Sequence, residues 1–179
     1  MAEQGLSQAT VQDILVQAEV SRGTFYQYFS GLDAVRLDLY KQHEVVVTAA
    51  ITDAIVYDGT PRERLRNGVS AYLDVQVRGG RLAALLQAEA IRPASLLLPH
   101  RQAALDNFIA RLDAAVFGLL GVRIDRYVYR SLLIGIEGLL IHVRTTGSIT
   151  PAQRERLEAV IYGLILATLA DRDRLPKAQ

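Results

Sequence analysis

The 179-residue sequence has no cysteine, one methionine and 5 prolines. Without cysteine there is neither a disulfide framework nor a thiolate metal site. The three histidines, His43, His100 and His142, have no partner at metal-ligand spacing, so no metal site is expected. No G-x-S-x-G, Walker loop, H-E-x-x-H or G-x-G-x-x-G occurs, which leaves enzyme chemistry without a motif and no cofactor to expect. The longest apolar stretch, Leu132 to Val143, is interrupted by Glu137 and His142 and is too short to span a bilayer. Nothing at the N-terminus reads as a basic and apolar signal segment. These absences predict a cytoplasmic protein with no membrane partner.

What is present is an ordinary globular balance, 50% hydrophobic and 22% charged, over a length that suits one or two domains with a sizeable core. The stretch TVQDILVQAEVSRGTFYQYF, residues 10–29, carries the strongest local signal. Thr10 with Asp13 three residues on forms a capping-box signature that opens a helix. Val11, Ile14, Leu15 and Ala18 follow at i, i+3, i+4 and i+7, so one face of that helix is expected to be buried. Ser21 is a second N-cap, and Phe25 and Phe29 stand one turn apart on the helix it opens, with Val20 filling the turn between. This is the outline of a helix-turn-helix DNA reader.

With Phe25 and Phe29 inward, Arg22, Gly23, Thr24, Tyr26, Gln27 and Tyr28 are left outward, and Thr10 and Ser21 join them at the helix N-termini. The set suits DNA. Arg22 can pair with guanine or phosphate, Gln27 can read adenine, and Thr24 and the tyrosine hydroxyls can hold phosphates. Gly23 leaves room for close approach.

The run VSRGTFYQYFSGLDAVRLDLY resembles the DNA-binding signature of the TetR-type (tetracycline-repressor-like) transcriptional regulators, closely from Leu6 to Tyr40 and beyond that only as a helical pattern. Three departures stand out. Glu19 replaces the glycine of the usual Ala-Gly-Val-Ser turn, which predicts a strained backbone there. Leu32 stands where the family commonly has a phosphate-touching lysine. Only Met1 to Gly5 precede Leu6, where the family has a long first helix; Gly5 reads as the stop of a helix whose body is missing. Residues 1–40 carry two basic against five acidic side chains, a net of −3, which predicts weak and salt-sensitive DNA binding.

Downstream, the pattern predicts a helix over about Leu32 to Val56 and one from Pro61, capped by Thr60, with Leu65, Val69, Tyr72, Leu73 and Val77 as its buried stripe. Gly79-Gly80 breaks it, and a shorter helix runs from about Arg81 to Ile91. After a loop around Pro93 to Pro99, a further helix over about His100 to Leu120 buries Leu105, Phe108, Ile109, Leu112, Val116 and Leu119. The last two, about Arg126–Thr146 and Pro151–Leu169, are apolar nearly all round and need two sets of neighbours, one of which is most simply the same pair in a second copy. Gly135, Gly138 and Gly163 would allow that approach. Such a homodimer matches what the resemblance implies.

The expectation is thus an all-α protein: a helix-turn-helix head over residues 1–40 and an antiparallel helical ligand-binding and dimerisation domain over residues 41–179. The resemblance implies a repressor that binds a near-palindromic double-stranded operator and is released by a small hydrophobic effector. Tyr72, Gln76, Gln87, Asn107, Phe108 and Arg111, beside the inner stripes, are candidate effector contacts, and Glu137 and His142 either line the same pocket or find partners across the dimer. The rival reading is a helical ligand-binding or interaction module with a vestigial head.

Overall fold

The computed structural model describes residues 9–170 apart from 57 and 122. The segment in which Gly5 would close a first helix lies outside the described residues. Seven helices follow in order: α1 Val11–Ala18, α2 Arg22–Tyr28, α3 Leu32–Val56, α4 Pro61–Ala90, α5 Leu98–Leu120, α6 Arg126–Thr145 and α7 Pro151–Ala170. No strand occurs among the described residues, so the fold is all-α as expected.

The helix starts are chemically marked. Thr10 and Thr60 each complete a capping box, with Asp13 and Glu63 returning a carboxylate to the cap backbone N–H. Pro61 follows Thr60 at a position that needs no donor. For the same reason Pro99 is accommodated in the first turn of α5, which therefore begins at Leu98, two residues before the expected start.

Three apolar clusters hold the C-terminal helices. Val69 and Leu73 of α4 meet Ile136 and Leu140 of α6 and Leu157 and Ile161 of α7. Tyr40 of α3 packs with Leu86 and Ala90 of α4 and with Leu97. Ile109 of α5 packs with Ile124 and Tyr129. The α3–α4 pair is close at Gly68, where an added Cβ would come within 3.2 Å of Ile55 Cγ1. Val77 is exposed although it was counted in the α4 stripe. A strict four-residue spacing walks about 40° round a helix at each step, and by Val77 it has left the core.

The expected break in α4 is realised at Gly80, whose φ of 53° and ψ of −147° no side chain-bearing residue readily adopts. The bend frees the Gly80 carbonyl from the helical ladder, and it accepts a hydrogen bond from Arg144 Nη2 on α6. A second long-range clamp is Arg154 of α7, which donates to Asp74 Oδ1 at 2.7 Å and to Ser70 Oγ at 2.7 Å on α4.

Candidate functional site

The head is built by local bonds. The Ser21 hydroxyl accepts the Thr24 backbone N–H at 3.0 Å, and the two hydroxyls share a further bond of 2.8 Å. Phe25 is buried, with its ring centroid 5.8 Å from that of half-buried Phe29. Those two choices set the opposite face. Arg22, Gly23, Thr24, Gln27 and the two tyrosines are all exposed, Tyr28 at 77%. Thr10 is exposed too, but its hydroxyl is already committed to Asp13 Oδ2 at 2.7 Å. Ala18 and Val20, assigned by pattern to the buried side, are exposed instead.

Glu19 sits in the left-handed region, φ 54° and ψ 37°, the one non-glycine among the described residues to do so. It closes α1, its N–H bonding the Leu15 carbonyl. A side chain in that conformation costs about 1–2 kcal/mol relative to glycine. Gly23 is the converse case. It lies inside α2, where glycine is about 1 kcal/mol worse than alanine, yet an added Cβ would meet only Ser21 Oγ at 3.7 Å, an ordinary contact. The packing around α2 therefore does not itself require glycine at this position.

Arg36, the head's other cation, is half-buried and paired with Asp33 Oδ1 at 2.9 Å. Arg22 is therefore the cation that α2 turns to solvent. Leu32, in place of the family's lysine, is half-buried at the start of α3.

The second candidate site is a cavity of about 180 Å³ between α3, α4, α5, α6 and α7. Tyr72, Gln76, Gln87, Phe108 and Glu137 line it. Asn107, Arg111 and His142, expected beside them, do not: all three are exposed. On α5 the cavity is faced by Arg101, Ala104, Leu105, Phe108 and Leu112, the i, i+3, i+4, i+7, i+11 face that excludes positions 107 and 111. On α6 Leu133, Ile136 and Glu137 face inward, which turns His142 to the outer surface near Gly138.

Sequence reasoning missed Tyr40, Glu44, Thr48 and Arg101, which supply half of the cavity's polar lining. Arg101 Nε donates to both Glu137 oxygens, at 3.2 and 3.1 Å, and its Nη2 donates to Oε2 as well. That pairing holds the Arg101 guanidinium above its ordinary pKa, hydrogen bonding outweighing burial. Burial pushes the Glu44 carboxyl up, opposed by a hydrogen bond from Tyr40. Burial also pushes the Tyr40 and Tyr72 hydroxyls up, so both stay protonated donors. Behind this wall Arg144 Nη1 donates to Gln76 Oε1 at 2.6 Å and Gln87 Oε1 at 3.0 Å. Burial pulls the Arg144 pKa down. Among the described residues no cluster of three or more His, Asp or Glu could hold a metal ion, and no helix is long and apolar enough to cross a membrane.

Residues 1–38 match the family model described as "Bacterial regulatory proteins, tetR family". The chain is structurally similar to a Syntrophomonas wolfei str. Goettingen protein assigned to the TetR-family transcriptional regulators, with a TM-score of 0.77 over 94% of this chain and 88% of that one at 19% identity. It is also similar to a TetR-family transcriptional regulator from Bordetella parapertussis 12822, with a TM-score of 0.63 over 89% and 86% at 21% identity. No curated protein matches the sequence. The chain thus carries a TetR-family match over residues 1–38 and shares the fold of two TetR-family proteins along most of its length.

Proposed function

We propose that this chain is a TetR-type transcriptional regulator, a homodimeric repressor that binds a near-palindromic operator through α2 and lets go when a small molecule fills the cavity. The observation that carries the reading is the outward face of α2: Arg22, Tyr26, Gln27 and Tyr28 around a Gly23 that the fold itself does not need. These are side chains that pair with base edges and phosphates.

Dimerisation rests on α6 and α7. Ile134, Gly135 and Gly138 on one, with Val160, Gly163 and Leu164 on the other, are exposed, and a Cβ at any of the three glycines would meet nothing within 4 Å. An apolar face with small residues fits a four-helix interface with a second copy. His142 shares that outer surface. A ligand that binds one spacing of the two α2 helices better than another shifts the population toward it, and DNA shifts it back.

An electrophoretic shift with the DNA immediately upstream of the protein's own gene tests the reading. A low-salt shift lost in both Arg22→Ala and Tyr26→Ala is the expected result; binding indifferent to both changes would remove α2 as the reading surface. Light scattering at micromolar concentration should give a dimer, and a clean monomer would remove the α6–α7 interface. One observation favours the vestigial-head alternative: with Arg36 held by Asp33, little positive charge is left to neutralise phosphate. No shift at any salt concentration would favour it.

A further inference from the structure

The cavity's size and chemistry narrow what can fill it, and this step rests on reading it as the effector site. Its volume of about 180 Å³ lies below the roughly 300–1,000 Å³ of sites for drug-sized ligands and slightly above the ~150 Å³ apolar cavity that takes up benzene. Most of the lining is apolar, including Val47, Ile51, Leu105, Phe108, Leu133 and Ile165.

One wall departs from that. Gln76 is wholly buried. Its Oε1 accepts from Arg144, and because a guanidinium only donates, the orientation of the amide is fixed. Nε2 is thereby turned away from Arg144, and it has no hydrogen-bond partner. The Tyr72 hydroxyl is a neighbour of the amide but lies outside hydrogen-bond geometry with Nε2. A buried donor left in this state costs about 1–3 kcal/mol, so an acceptor that enters the cavity and reaches Gln76 with a small side-chain adjustment would be bound by a group that is already desolvated.

Charge selects further. Among the residues that line the cavity, Arg101 and Glu137 neutralise one another. Glu44, in the lining beside Tyr40, disfavours an anion, while Arg144, directly behind Gln76, disfavours a cation. We propose that the cavity takes a small uncharged molecule of roughly six to ten non-hydrogen atoms, scaled from benzene, whose single hydrogen-bond acceptor meets Gln76 Nε2.

Calorimetric titration of the intact protein at neutral pH with four one-ring probes tests this. The probes are acetophenone, its isostere α-methylstyrene with CH₂ in place of oxygen, benzoate and benzylammonium. Acetophenone should bind tightest, about three- to tenfold over α-methylstyrene, the difference one neutral hydrogen bond makes. Gln76→Glu keeps an acceptor for Arg144 but puts an oxygen where Nε2 was, so the preference for acetophenone over α-methylstyrene should vanish. Equal binding of those two probes by the unaltered protein, tighter binding of either ion, a preference that survives in Gln76→Glu, or no binding of any probe would each overturn the proposal. The last is the result expected if water alone fills the site. Should Gln76→Glu not fold, the ranking of the four probes decides by itself. No DNA enters the titration: acetophenone bound without effect on an operator complex would leave the cavity chemistry standing and remove only the effector role.

Discussion

The head and the C-terminal body are stabilised over different distances along the chain. In the head the deciding bonds join residues three apart, Thr10 to Asp13 and Ser21 to Thr24, and the buried side chains of α1 and α2 are Leu15 and Phe25. In the body Arg101 reaches Glu137 across 36 positions, Arg144 reaches Gln76 across 68, and Arg154 reaches Asp74 across 80. A short-range unit with a small core opens locally at low free energy, whereas the body, knitted across its length, opens as a whole. Under the proposed function that division is useful, since a head that meets DNA could adjust while a body that holds a ligand keeps its shape.

The largest test of the contrast is a pair of core truncations. Leu73→Ala, at a position with no exposure, should lower the stability of the entire protein by about 2–5 kcal/mol. Phe25→Ala should abolish DNA binding while shifting the main denaturant midpoint little. Equal shifts from the two changes would mean that head and body unfold together.

Next in size is the cavity's ion pair. Arg101→Met strands the Glu137 carboxylate, whose side chain is only 17% exposed, and should cost about 3–5 kcal/mol. Adding Glu137→Leu should recover much of that loss, because two apolar neighbours replace a pair that had to be desolvated. No local motif in the head offers such a recovery. A double variant no better than Arg101→Met would mean that the pair positions the helices as well as balancing charge.

These two tests also mark where the sequence was readable. The caps, the Phe25 and Phe29 spacing, the outward face of α2 and the break at Gly79-Gly80 rest on neighbours within one or two turns, so the letters suffice. The cavity was legible only where an apolar stripe carried a polar neighbour on the same face, as at Tyr72 and Gln76. Asn107 and Arg111 passed the same test by proximity in sequence but lie on the exposed flank of that face of α5. Glu44 and Arg101 gave no signal, because what makes them cavity residues is the packing of α3 and α5 against helices far along the chain, as in the Arg101–Glu137 pair 36 positions apart. His142 was drawn inward by the apolar company it keeps along α6. The same pattern also fits an outer face that a second copy would cover.

Smaller effects separate folding from reading within the head. Glu19→Gly should relieve the left-handed strain and stabilise the head by about 1 kcal/mol, with tighter DNA binding. Gly23→Ala should also stabilise α2, by up to about 1 kcal/mol, yet weaken DNA binding, because its Cβ would occupy space the fold leaves open. Hydrogen exchange of the α1 and α2 amides measures the first quantity and an electrophoretic shift the second. If both substitutions moved the two readouts in the same direction, Gly23 would be a helix defect and not part of the reading surface.

The smallest expected effects concern protons, and here the helix caps and the cavity should respond with opposite sign. Asp13 has its carboxyl pKa lowered, first by the Thr10 hydroxyl and then by the Thr10 backbone N–H. It therefore supports the head above the ordinary carboxylate range, and the support is lost as pH falls through its depressed value. Glu63 does the same for α4 with Thr60. Glu44 is displaced upward, chiefly by burial and further by Glu137, against the Tyr40 hydrogen bond and Arg101. A carboxyl raised in the folded state contributes stability that is complete below its ordinary value and is lost as pH rises through its folded value. Acidification from neutrality should therefore first firm the body, as Glu44 takes up its proton, and only at lower pH loosen the caps. Denaturation midpoints between neutral and mildly acidic pH should lose that rise in Glu44→Gln, while Asp13→Asn should alter only the head's exchange rates at the acid end. A rise that persists in Glu44→Gln would move the proton to another group in the body.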